Sequence, residues 1–173
     1  KGFHDYFSVL TDTEPQRAAQ YGIAHHTWLC INPKEAEDPV FAREVIDIIP
    51  EFLERENVLG IGEIGLNKNS RNELENLEAH LQLAADHDQM VLVHTPHLED
   101  KRKGTRLIMD CLKANGVVKP ERVIIDHVEE HNITEFAVGR LFGEYAANVS
   151  AANHRNFVSH SGGESFWPGY QWR

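Results

Sequence analysis

Four short runs of apolar, often β-branched residues punctuate the chain: Ile23 to Ile31, Val58 to Leu66, Met90 to His94 and Val123 to His127. Runs of this length and composition predict buried strands. Between them, apolar residues recur at intervals of three and four. Phe41, Val45, Ile48, Ile49 and Phe52 form one stripe; Leu74, Leu77, Leu81 and Ala84 a second; Leu107, Ile108, Cys111 and Leu112 a third. Each stripe predicts a helix whose apolar side covers a face of the sheet. Ser70-x-x-Glu73 predicts a capping box at the start of the second helix, and Pro50 a new turn or a kink near the end of the first.

The predicted strands end near residues 31, 64, 94 and 127, a recurrence of about 30 residues that fits successive right-handed β-α-β units. The sheet is therefore expected to be parallel. A closed eight-stranded barrel typically needs about 250 residues, whereas 173 residues at this spacing supply roughly five or six units. The periodicity thus leaves two architectures: an incomplete (β/α) barrel, or an open parallel sheet.

Composition narrows the function classes more than the fold. The 41% hydrophobic and 25% charged content is that of a globular domain, and no apolar run approaches the roughly 18 residues of a membrane-spanning helix. Cys30 and Cys111 lie in separate apolar patterns without metal-ligand spacing, which predicts a reducing compartment, the cytoplasm. A net charge of -10 argues against broad electrostatic binding of nucleic acid, while a phosphate gripped locally through metal ions stays open. Lys1 in first place predicts a processed or partial sequence. From about Phe136 the alternation fades into a mixture of aromatic, glycine and polar residues. The expected organisation is a partial barrel over 1–135 followed by an irregular, weakly ordered segment over 136–173.

The candidate chemistry centres on "VLGIGEIGLN", residues 58–67, where Gly60, Gly62 and Gly65 stand in the G-x-G-x-x-G spacing of dinucleotide loops. That reading also needs a helix opening within the loop and an acid closing the next strand. Leu66 to Asn69 intervene before the helix cap, and the next strand closes in His94. Glu63 is the better candidate, since β/α folds place their active sites at the carboxyl ends of strands. The next two runs end in His94 and His127. One carboxylate and two imidazoles on three consecutive strand ends suit zinc, manganese or iron, and a carboxylate can also bridge two ions for hydrolysis. A lone strand-end histidine is more often satisfied by a backbone partner; joint placement carries the inference.

Other residues are weaker candidates. His25 and His26 are adjacent in the first apolar run, so on a strand they face opposite sides. His97 belongs to a proline-containing loop, and Arg17 and Lys101 read first as surface charges. In the last segment His154 and His160 are candidate ligands and Trp167 and Trp172 a candidate stacking platform, though a weakly ordered tail is the expected reading.

The motifs "GIGEIGLN", "LVHTPH" and "IDHVEE", with "EPQRAAQYGI" and "CINPKEA" ahead of them, resemble the TatD-related metal-dependent hydrolases of the amidohydrolase superfamily. The likeness covers roughly residues 5 to 135. It implies an α/β fold of the parallel (β/α) TIM-barrel type, incomplete in this chain, and a centre of one or two divalent ions: zinc, magnesium or manganese. It implies Glu63 as a catalytic, metal-bridging ligand, His94 and His127 as ligands of the second metal, and a phosphodiester substrate, DNA included. The family's His-x-His pair occurs nowhere in this chain, and no aspartate follows Asp126. The tail is expected to be unrelated to the family's remaining strands, through truncation or an altered reading frame. Two alternatives follow: a catalytically inactive barrel fragment or partner-binding protein, and a metal-dependent lactone or amide hydrolase.

Overall fold

The computed structural model describes residues 2–96, 101–116, 118–130, 132–134 and 148–149. It contains a five-stranded sheet in the order β1 to β5, every adjacent pair parallel. The strands are β1 (Thr27–Leu29), β2 (Val58–Gly65), β3 (Met90–His94), β4 (Val123–Asp126) and β5 (Asn148–Val149). Sequential strands as neighbours, with helical crossovers described from β1 to β4, give the parallel α/β architecture of a barrel wall. No described helix is long and apolar enough to cross a membrane.

The helices precede β1 or fill the crossovers. Helices α1 (Phe3–Ser8) and α2 (Glu14–Ala19) flank a π-helical segment, Val9–Thr13. Helix α3 (Pro39–Ile48) is capped by the Asp38 carboxylate, which accepts from the Val40 and Phe41 amides. Pro50 then sits in a 3-10 turn, Ile49–Phe52, because proline can neither donate to the preceding turn nor continue an α-helix without a clash. Helix α4 (Arg71–Asp86) begins with the expected capping box between Ser70 and Glu73, and α5 (Lys101–Asn115) follows β3.

The core is one layer of strand residues, including Leu29, Ile61, Val91, Val93, Val123 and Ile125, packed beneath the helix stripes. Leu77, Leu81 and Ala84 of α4 and Ile108, Cys111 and Leu112 of α5 are buried as their spacing predicts. The α3 stripe is rotated. Ala42, Val45, Ile46, Ile49 and Phe52 face inward, and Phe41 is 41% exposed.

The first strand is shorter than its apolar run. Only Thr27–Leu29 pair with β2, with an irregular register between Thr27 and Trp28, while Ile23 is exposed. Described partners lie on one side of β1 alone, so residues 23–26 lack the two-sided pairing that holds an extended backbone. The opposite-face argument for His25 and His26 therefore does not apply; both precede the strand. Within the predicted irregular segment, Asn148–Val149 pair with Ile124 and Ile125 as β5. His97, His154, His160, Trp167 and Trp172 lie outside the described residues, as does the rest of 136–173.

Candidate metal centre

Gly60, Gly62 and Gly65 belong to β2 itself and not to a phosphate loop. They let β3 approach closely. A β-carbon on Gly62 would fall 2.6 Å from Leu92 Cβ, and one on Gly65 would collide with the His94 carbonyl. Gly65 also has φ 133, a conformation that side-chain-bearing residues rarely adopt. Between these glycines the β2–β3 register is irregular: Gly62 pairs with Leu92 and Ile64 with Val93, leaving Glu63 unpaired. An extra residue of this kind re-aims its side chain. The glycine pattern is thus a packing device around one carboxylate.

The carboxylate meets both strand-end histidines. Glu63 Oε1 lies 3.4 Å from His94 Nδ1 and 3.1 Å from His127 Nε2. The two imidazoles meet edge to face, with ring centroids 4.9 Å apart and an interplanar angle of 83°. One donor atom from each of Glu63, His94 and His127 lies within 4.8 Å of the other two. Two imidazole nitrogens and a carboxylate oxygen at this separation are a group that could hold a metal ion. The hydrogen bond donated by His94 is the main reason the Glu63 carboxyl is held below its ordinary range. Partial burial opposes the effect, and the charges of His94 and His127 assist it.

Each residue reaches this point by a different local route. His94 closes β3 and is buried, whereas Glu63 remains 30% exposed at its side chain. His127 stands one residue beyond β4 and has φ 56 in the left-handed region, with its amide donating to the Asp126 carboxylate at 2.7 Å. The β2–α4 turn is held by Glu73, whose buried carboxylate accepts from the amides of Asn67, Lys68 and Ser70. Cys30 donates its thiol to the Glu63 carbonyl at 3.3 Å. Burial, with the Glu63 and Glu35 charges, raises that thiol's pKa, so it stays protonated rather than acting as a thiolate ligand.

Two contributors escaped the sequence reading. Asp126 Oδ2 lies 3.9 Å from His127 Nε2, at the edge of the cluster; an acid interrupting the apolar run "VIID" is the signal that marks it. Lys101 is not a surface charge. Its side chain is 11% exposed and its Nζ lies 3.1 Å from Glu129 Oε2, because the first turn of α5 packs beside the loop that follows β4. Arg17 does stay at the surface, paired with Glu14. A separate cleft of about 660 Å³ between α3, α4 and α5 contains none of the strand-end residues.

The chain is similar to known proteins. Residues 11–154 match the family model for TatD related DNase. A curated protein of Methanocaldococcus jannaschii, named an uncharacterized metal-dependent hydrolase, is 29% identical over 131 residues, 75% of this chain and 50% of its own length. The crystal structure of a TatD-like protein from Archaeoglobus fulgidus superposes with a TM-score of 0.65 at 29% identity, covering 86% of this chain and 58% of that one. This chain therefore spans about half the length of the curated relative it matches. The family model takes in β1 to β5 and all three residues of the strand-end cluster, and the chain belongs to the TatD related DNase family.

Proposed function

We propose that the chain carries a divalent-metal centre of a hydrolase acting on phosphodiester bonds, DNA being the leading substrate. The observation that carries this reading is the convergence of Glu63, His94 and His127 from three consecutive strands, with one ligand atom of each within 4.8 Å of the others. Glu63 would be the catalytic carboxylate that holds or bridges metal, and the two imidazoles would each present a ring nitrogen to one ion. A divalent ion bound there supplies Lewis acidity toward the scissile group and acidifies water near neutral pH. The protein's part is to hold the carboxylate ionised and both ring nitrogens aimed at one point, so that little reorganisation remains when substrate arrives. Metal binding by such ligand types releases protons, so affinity is expected to fall as pH drops.

Zinc, magnesium and manganese are the candidate ions, and family membership supports the phosphodiester class. The free thiols of Cys30 and Cys111 support a cytoplasmic setting. Purified protein titrated with each ion and assayed on DNA tests the proposal. One bound ion with hydrolysis that Glu63→Ala abolishes supports it. No stoichiometric ion and no hydrolysis favours the inactive, partner-binding reading, which the absence of any His-x-His pair in the chain motivates. Bound ion with turnover only of lactones or amides would redirect the substrate class.

A further inference from the structure

The loop that follows β4 begins with a conformation that needs support. His127 has φ 56, a region that β-carbon sterics disfavour for residues other than glycine. Its backbone therefore relaxes toward extended conformations unless neighbouring groups hold it. Rotation about that φ would carry the imidazole away from Glu63, 3.1 Å from its Nε2.

The support comes from the neighbouring strand and helix. Thr95 directly follows His94 and is fully buried. Its hydroxyl lies 3.1 Å from the Asp126 carbonyl and 3.0 Å from the His127 carbonyl. A single hydroxyl proton can be shared between two such acceptors or alternate between them. Either way Thr95 ties the end of one histidine-bearing strand to the backbone of the other histidine. Farther along the loop, the Glu129 amide donates to Asn132 Oδ1 at 2.7 Å, and the Asn132 side-chain amide reaches Thr105 Oγ1 at 3.4 Å. Lys101, one helical turn before Thr105, pairs with the Glu129 carboxylate at 3.1 Å.

We propose that Thr95 and the Lys101–Glu129 pair form a clamp that positions His127 as a metal ligand. This rests on the metal-centre reading above. Neither Thr95 nor Lys101 is a catalytic residue; Thr95 acts through the His127 carbonyl, and Lys101 through Glu129, two residues farther along the same loop. Groups that orient ligands in this way typically govern metal affinity by roughly 10–100-fold.

The test is zinc affinity measured by competition with a chromophoric chelator on the whole 173-residue chain, alongside apo-protein melting. Thr95→Val removes the hydroxyl at nearly constant volume and should weaken zinc roughly 10–100-fold, while Thr95→Ser should recover to within about threefold. A purely structural role for the buried threonine would lower the apo melting temperature without a serine-reversible loss of affinity. Should Thr95→Val fail to fold, Lys101→Met tests the other arm: a several-fold loss supports the clamp, and unchanged affinity overturns it. Wild-type protein that binds zinc no better than Thr95→Val overturns the clamp alone. Wild-type protein that binds no zinc, manganese or magnesium overturns the metal centre and the clamp with it.

Discussion

Two buried histidines in this protein have opposite fates. His80, on α4, is 1% exposed and His94, at the end of β3, is 7% exposed. His80 is saturated by backbone: Nδ1 donates to the Asn76 carbonyl at 2.8 Å, and Nε2 accepts from the Ile31 amide at 3.3 Å. His94 faces a carboxylate and a second imidazole. Burial lowers the His80 pKa from 6.5 to about 4, so it is a neutral rivet between α4 and the end of β1. The strand-end pair instead faces a charge and the space an ion would fill. Partner chemistry, more than burial, separates the structural histidine from the candidate ligand.

The largest expected effect separates these regions most sharply. Glu63→Ala should reduce metal affinity by more than the roughly 100-fold attributed to supporting residues, with apo folding intact; isothermal titration and thermal melting together check this. His80→Ala should do the reverse. It removes a buried ring and orphans the Ile31 amide, at a cost of roughly 2–4 kcal/mol in urea denaturation, while metal stoichiometry in the folded fraction is unchanged.

The pH dependence sharpens the same contrast. The folded pKa of His80 is depressed, so its contribution is fully present above the unfolded pKa of 6.5 and is lost as pH falls toward about 4. On the order of 3 kcal/mol should disappear across that window, and denaturant midpoints measured in metal-free buffer between pH 7 and 4 should show a slope that His80→Gln flattens. Glu73→Ala, which strips one acceptor from three amides in the turn after β2, should cost roughly 1–3 kcal/mol. The smallest effect is expected at the exposed Arg17–Glu14 pair, where Arg17→Ala should stay within about 0.5 kcal/mol.

The strand ends show why part of the site was legible. Glu63, His94 and His127 each interrupt or close an apolar run at about the same phase of a 30-residue repeat, and a parallel β-α-β chain brings equivalent strand ends side by side. Their placement on neighbouring strand ends thus follows from periodicity. The clamp around His127 has no such signature, because Thr95, Lys101 and Asn132 lie on different elements and meet only when α5 packs against the loop after β4. Nor does hydropathy distinguish Lys101 from the exposed cations of its own helix.

By itself the sequence determined the alternation of strand and helix, the capping box at Ser70, the stripes of α4 and α5, and the order of the strand-end residues. These depend on local periodicity and short-range hydrogen bonding. Tertiary structure alone decided that β1 shrinks to Thr27–Leu29, that Lys101 is largely covered and pairs with Glu129, and that an irregular register turns Glu63 toward both imidazoles. Each of those outcomes depends on which backbone lies alongside, a relation between distant segments that no local pattern encodes.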